Sequence, residues 1–452
     1  MGRLFGTDGA RGVANKFLTP ELAMKIGRAA AMVLIEGVED KKRHPKVMIG
    51  MDTRLSGDML ESAIAAGLCS VGADVLLLGV IPTPAVAYLV KEYGYDAGVV
   101  ISASHNPFEY NGIKIFKNDG FKLPDALEEE IEAIILDEVR TPPVKVGADV
   151  GRITRSDTAV KDYINHLLRT TEFRHNGLSV ALDCANGASS VTAEKLFQYL
   201  GCSVSVLSAD PDGLNINDNC CSTHIENLQN FVRENHCDVG FAFDGDADRL
   251  IAVDENGNVV DGDKIIALCS KDMKENGNLA KDTAVVTVMS NMGFFKFAES
   301  EGIHCEKTAV GDRYVLENML KNGYNIGGEQ SGHVIFLDYA TTGDGELTAI
   351  QILKAMKRSG KKLSELASVM EIYPQVLINV RVSQEGKVRF PDDVEIKKAI
   401  AHAEAELGDT GRVLVRASGT EPLIRVMLEG KDTAQIQHLG EVIAEVVRER
   451  LL

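Results

Sequence analysis

Three short stretches combine residue types that can do chemistry together. The first is "ISASHNPFEYNGIKIF", residues 101–116. It places Ser102, Ser104 and His105 just before Asn106-Pro107, after the apolar run "AGVVI" that reads as a buried strand. Pro107 and Asn111-Gly112 stop any helix and force a loop. A hydroxyl beside an imidazole at a strand end suits nucleophile chemistry; an ordinary polar turn uses the same residues for none. The second stretch is "FAFDGDADRLIAV", with Asp244, Asp246 and Asp248 at alternate positions, then Arg249. Three carboxylates so spaced repel one another unless a cation gathers them, and oxygen-only ligands favour Mg²⁺ over Zn²⁺. Glu255 stands twelfth from Asp244, as in an EF-hand. The sixth position of such a loop must be Gly, and here it is Arg249. An acidic solvated turn, the plainer alternative, has no need of apolar strands on both sides. The third stretch is "GEQSGH", with Glu329, Ser331 and His333. A carboxylate and a hydroxyl at alternate positions suit hydrogen bonds to sugar hydroxyls, and His333 could bind or act as a general acid or base.

The first two stretches explain each other. Three carboxylates leave Mg²⁺ short of oxygens, and a phosphorylated Ser104 would supply them. The cation would neutralise the phosphoryl charge and make the group a better electrophile, with Arg249 as a further donor. Near the carboxyl end, "RASGTEPLIR" sets Arg416, Ser418, Gly419 and Thr420 around a tight turn, with Arg425 on the next strand. Guanidinium, hydroxyl and open backbone N–H groups suit a phosphate monoester; a hairpin turn with surface arginines is the alternative. The opening "FGTDGARG" adds Arg11, either phosphate-facing or on the surface, and "TAVGDRYV" adds Asp312 and Arg313. Lys114 lies in a strand after the serine loop. It could be a cationic acid or base, but the sequence alone favours a solvated lysine.

These loops need a scaffold, and the chain repeats one. "KVMIGMD", a helix that Ser56 can cap, and "ADVLLLG" form a strand–helix–strand unit with Gly72 after the helix. The same pattern returns at 178–208 with Gly201 and at 284–309 with Gly302. From about residue 371 it gives way to strands near 375–383, 412–418 and 423–430 and helices near 393–407 and 433–450. The expected fold is therefore α/β: three related mixed-sheet domains plus a C-terminal α+β domain. The boundaries fall at 1–155 (serine loop), 156–256 (metal loop), 257–370 (sugar loop) and 371–452 (phosphate loop). Ligands bind beyond the carboxyl ends of strands in such sheets, so three repeats presenting three loops predict one shared site.

Composition narrows the function classes. The 452 residues are 45% hydrophobic and 25% charged, as in a soluble globular protein. No apolar run approaches the ~20 residues of a membrane span, and the N-terminus has no signal-peptide pattern. The net charge of −18 argues against nucleic-acid binding but allows a local basic pocket for a phosphorylated substrate. Eight cysteines without CxxC pairing read as buried free thiols in a cytoplasmic protein.

Taken together and in this order, "SASHNP", "DGDADR", "GEQSGH" and "RASGTEP" resemble the α-D-phosphohexomutase superfamily, over nearly the whole chain. The opening "FGTDGARG" looks like its phosphoglucosamine mutase branch, whereas phosphomannomutase/phosphoglucomutase relatives open nearer "YDIRG". The resemblance implies four domains around a central cleft, Ser104 as a phosphoserine, and Mg²⁺ on Asp244, Asp246 and Asp248 with Ser104. It implies sugar contacts from Glu329 and Ser331 and a phosphate grip at Arg416, Ser418, Gly419 and Thr420. Arg11, His105, Lys114, Arg249 and His333 fall in the catalytic surroundings by the same match. The implied reaction converts glucosamine 6-phosphate to glucosamine 1-phosphate through a 1,6-bisphosphate, with glucose or glucosamine 1,6-bisphosphate as activator. A mannose or glucose phosphate substrate is the rival within the class, and a non-catalytic sugar-phosphate sensor the rival outside it. The small fourth domain suggests a hinge closure that excludes water. The partner is a small phosphosugar, with no nucleic acid or membrane; a homodimer is the candidate assembly. At "NCCSTH" Cys221 stands where the branch more often has Gly, so the loop is expected to bend differently there.

Overall fold

The computed structural model describes residues 3–6, 8–35, 43–418 and 421–452. The chain divides into two compact units. One is Met1–Met289 with Ile303–Val369; the other is Ser290–Gly302 with Met370–Leu452.

The larger unit holds three mixed sheets. The first has seven strands in the order Phe5–Gly6, Gly9–Val13, Tyr110–Lys117, Ala97–Ile101, Lys46–Met51, Asp74–Val80, Ile153–Arg155. The second runs Val259–Val260, Leu250–Asp254, Val239–Phe243, Ser179–Asp183, Ser203–Leu207, and the third His304–Thr308, Thr283–Thr287, Ile326–Gly328, Val334–Phe336. One plan recurs in all three. A parallel strand ends in a loop, and the chain returns antiparallel beside it. Ala97–Ile101 returns as Tyr110–Lys117, Val239–Phe243 as Leu250–Asp254, and Ile326–Gly328 as Val334–Phe336. The loops at these three reversals are the serine, aspartate and Glu-Ser-His stretches.

The strand–helix–strand units form as their sequences dictate. Val47, Met48 and Ile49, and Val180, Ala181 and Leu182, are buried runs covered by helices. The helices give way to glycines in left-handed conformations, Gly72 (φ +92°), Gly201 (φ +88°) and Gly302 (φ +62°). One expected cap is not made. Ser56 is itself helical in backbone and makes no side-chain cap bond; its hydroxyl instead accepts from Asn111 Nδ2 at 2.9 Å.

The smaller unit is a three-stranded antiparallel sheet, ordered Gln375–Arg381, Leu423–Gly430, Gly411–Ala417, with helices Val394–Leu407 and Thr433–Leu451 on an apolar face. Helix Met292–Ser300 belongs to it as well. Asn291 donates to Tyr373 O at 3.0 Å, and the buried Glu429 accepts from the Met292 amide at 2.8 Å.

Among the described residues, no helix is long and apolar enough to cross a membrane. All eight cysteines are free, and all but Cys305 are buried. Cys221 takes a left-handed φ of +79°, so the bend is made at this residue without glycine. Asp183 holds it by accepting the Cys221 amide at 3.1 Å.

Candidate active site

Ser104 lies directly beyond the carboxyl end of its parallel strand, buried, with a left-handed φ of +54°. Its Oγ donates to Asp244 Oδ2 at 2.5 Å and lies 3.3 Å from His105 Nδ1. The serine loop and the aspartate loop therefore meet, as their chemistry requires. Their backbones touch too: a Cβ on Gly245 would lie 2.6 Å from Ser104 O, so glycine alone permits the approach. Backbone bonds fix the aspartate loop from two sides, Thr83 N to Asp246 O at 2.9 Å and Gly345 N to Ala247 O at 2.9 Å.

Asp244, Asp246 and Asp248 are buried, with one oxygen of each within 4.8 Å of the others. Asp246 Oδ1 and Asp248 Oδ1 are buried without a hydrogen-bond partner. Two orphaned carboxylate oxygens converging with a third acid fit a hard divalent cation. Burial, then Asp248 and Asp246, push the Asp244 carboxyl well above its ordinary range. Asp248 is held well below that range: burial opposes its charge, but Lys114 and His333 overcome it.

Lys114 is not a solvated lysine. Tyr110–Lys117 is an interior strand of the first sheet, buried along most of its length, so the Lys114 side chain has no route to water. Its Nζ meets Asp246 at 2.8 Å, Asp8 at 3.1 Å and Asp248 at 3.4 Å. Burial disfavours the ammonium, but these acids raise its pKa above the ordinary value. Arg11 pairs with Asp8, and Arg249 Nε lies 3.8 Å from Asp248. His105 is held neutral, its pKa lowered to about 4 by burial and by Arg249 and Arg11. His333 accepts from the Gly343 amide at 3.1 Å through Nε2 and turns Nδ1 to Asp248 at 3.6 Å. Burial lowers its pKa, but Asp248 and Asp312 outweigh that and raise it.

The other sequence candidates divide. Glu329 accepts the Gly311 amide at 3.0 Å, and Ser331 is exposed at the hairpin turn between Gly328 and Val334. Asp312 joins the cluster through Lys122 at 2.6 Å. Arg313 pairs with Asp125 and, at 3.1 Å, with Glu317, and lines one cavity together with Lys114, Lys122 and Asp312. In the smaller unit Arg416 and Arg425 are direct cross-strand partners. Burial and Arg425 lower the Arg416 pKa, and Arg425 Nε is buried without a hydrogen-bond partner. Ser418, buried, accepts from Glu421 N at 3.4 Å. Gly419 and Thr420 lie outside the described residues.

Sequence reasoning missed Asp8 and Lys122, which complete the charge cluster. Lys122 bridges Asp8 and Asp312 at 2.6 Å each, its pKa raised by those acids against the opposing effect of burial. A cavity of about 340 Å³ is lined by Phe121, Leu123, Leu316 and Ile335 together with Lys114, Lys122 and Asp312.

The family models place this arrangement. The four domains described as phosphoglucomutase/phosphomannomutase match in order: alpha/beta/alpha domain I at residues 2–141, domain II at 161–257, domain III at 261–373 and the C-terminal domain at 377–446. The chain belongs to the phosphoglucomutase/phosphomannomutase family. It is 56% identical over 451 residues to the phosphoglucosamine mutase of Acetivibrio thermocellus, covering 100% of both chains. Its fold is similar to that of a phosphoglucomutase/phosphomannomutase family protein from Burkholderia thailandensis, with a TM-score of 0.82 at 23% identity, over 99% of this chain and 98% of that one. It is also similar to N-acetylphosphoglucosamine mutase of Aspergillus fumigatus, solved in complex with GlcNAc-6P and magnesium, with a TM-score of 0.67 at 16% identity, over 99% and 96%.

Proposed function

We propose that this enzyme, an isomerase, interconverts glucosamine 6-phosphate and glucosamine 1-phosphate in the cytoplasm, with Ser104 as the phosphoryl carrier. One observation carries the reading of the site. Ser104 Oγ sits 2.5 Å from an acid beside two others, each with a buried carboxylate oxygen that has no hydrogen-bond partner. Full-length relatives at more than half identity, all phosphoglucosamine mutases, support the choice of sugar.

Asp244, Asp246 and Asp248 would hold Mg²⁺, which when bound neutralises charge on a phosphoryl group at Ser104. Phospho-Ser104 gives its phosphoryl to the 1-hydroxyl of glucosamine 6-phosphate. The bond from Ser104 Oγ to phosphorus breaks as the one from the sugar oxygen forms, the proton of the 1-hydroxyl ends on Ser104 Oγ, and a bisphosphate results. After the bisphosphate turns end for end, Ser104 takes the phosphoryl from position 6. Lys114, held by Asp246, Asp8 and Asp248, adds positive charge beside the reacting group. Arg11 and Arg249 add positive charge at the same place, and neutral His105 can accept a hydrogen bond at the Ser104 oxygen. Glu329 and Ser331 would meet sugar hydroxyls. Two adjacent guanidinium groups at Arg416 and Arg425, with buried Ser418, favour an anion, and a phosphate monoester meets them bidentately. A 1,6-bisphosphate would prime Ser104.

A coupled assay with glucosamine, glucose and mannose 6-phosphates, each with Mg²⁺ and a trace of bisphosphate, tests the substrate. The expected order places glucosamine first. Preference for mannose or glucose would overturn the substrate and keep the mechanism.

A further inference from the structure

We infer that Arg54 and Asn217 are positioning residues for Ser104, two donors from separate parts of the chain that fix the backbone presenting Oγ to Asp244. The inference rests on Ser104 as the phosphoryl carrier. A non-glycine residue at φ +54° is intrinsically disfavoured, so its surroundings must over-determine it.

They do so from three directions. The Arg54 guanidinium, 2% exposed, donates through Nη2 to Ser104 O at 2.9 Å and Asn106 O at 2.8 Å. Through Nη1 it donates to Tyr110 O at 3.0 Å and to Pro107 O, and through Nε to Asp52 at 2.8 Å. Asn217 Nδ2 donates to the same two carbonyls, Ser104 O at 2.9 Å and Asn106 O at 3.0 Å. Both lone pairs of each carbonyl are thereby used. From the amide side, Ser102 Oγ accepts Ser104 N–H at 2.9 Å and donates to Asp52 at 2.6 Å. The grip falls on the carbonyl and amide of Ser104 and leaves Oγ to the chemistry. An oxygen that must both give and recover a phosphoryl group in one cycle has to return to one place. A shift of about 1 Å costs about 100-fold in rate, and a loosened loop also admits water.

The test compares phosphorylated full-length wild type with Asn217→Ala, Asn217→Asp and Arg54→Lys. It reads kcat and KM, inorganic phosphate released per sugar converted, and amide hydrogen exchange in residues 102–110. Asn217→Asp keeps the shape and removes both donors. It should lose as much as Asn217→Ala, roughly 10- to 100-fold in kcat with KM nearly unchanged. Phosphate leak and exchange in the loop should both rise while the melting temperature stays close to wild type. Arg54→Lys should lose at least as much, because one ammonium cannot serve four carbonyls. If Arg54→Lys fails to fold, the Asn217 pair decides. Wild-type kcat, leak and loop exchange in both Asn217 variants would overturn the inference. If phosphorylated wild type converts no sugar, the mutase reading fails, and the exchange measurement still decides whether these residues hold the loop.

Discussion

Lys114 Nζ lies 2.8 Å from Asp246 Oδ2, and this pair branches from a closed circuit of charge that runs through Lys114. From Lys114 the circuit passes to Asp8 (3.1 Å), Lys122 (2.6 Å), Asp312 (2.6 Å), His333 (3.5 Å) and Asp248 (3.6 Å). It returns from Asp248 to Lys114 at 3.4 Å. Residues from three sheets thus share one electrostatic object, and the metal carboxylates are part of it.

Removing Lys114 should therefore show first in the metal-free protein. Breaking a buried ion pair from one side costs about 3–5 kcal/mol. Lys114→Met should melt well below wild type without Mg²⁺, and saturating Mg²⁺ should recover more of its melting temperature than it adds to wild type. Equal Mg²⁺ shifts in the two proteins, followed by differential scanning calorimetry, would contradict the shared cluster.

Arg416 and Arg425 face each other across two antiparallel strands, a like-charge pair that the Glu421 carboxylate, 3.7 Å from Arg425, offsets in part and a bound anion would offset further. Arg416→Gln should leave stability unchanged or slightly raised. Binding of the sugar phosphate should weaken by about 1.5–3 kcal/mol, the worth of a hydrogen bond to a charged group. Melting curves and substrate KM, measured together, separate these effects. A variant that loses stability and keeps its KM would assign the pair to structure alone.

Glu128 gives a pH signature apart from the metal cluster. It lines the cavity beside Lys122, and burial raises its carboxyl to about 7, with Lys122 opposing. A carboxyl whose folded pKa is raised favours folding below its unfolded value, near 4.5, and loses that contribution as pH rises through about 7. Glu128→Gln should thus match wild type at pH 4.5 and exceed it at pH 8 by about 1–2 kcal/mol, discounting the full shift for partial exposure. Denaturant titrations at the two pH values check this. A constant difference across the range would contradict it.

Much of this site was legible because its chemistry is local. Ser104, the three aspartates and the Glu329–His333 turn each lie in a loop following an apolar strand. The hairpin plan brings those loops beyond strand ends, where reading in sequence places ligands. Read without the motif match, Lys114 looks solvated, because a long cationic side chain on a strand ordinarily reaches water; an interior strand under helices leaves it no such route. Asp8, Lys122, Arg54 and Asn217 were missed for another reason. Each acts through partners more than 45 residues away, such as Lys122 on Asp312 and Asn217 on Ser104, and pattern along the chain carries no trace of such pairs. Ser56 looked like a cap, and its hydroxyl was claimed by Asn111 instead.

The central claim is that the phosphoryl group on Ser104 becomes the 1-phosphate of the product. The most direct measurement uses protein carrying a labelled phosphoryl on Ser104, mixed with one equivalent of unlabelled glucosamine 6-phosphate and Mg²⁺ for a single turnover. The account predicts label in glucosamine 1-phosphate, an unlabelled phosphoryl restored to Ser104, and no labelling of the Ser104→Ala protein at the start. Label released as inorganic phosphate, or retained on Ser104 while product forms, would contradict it.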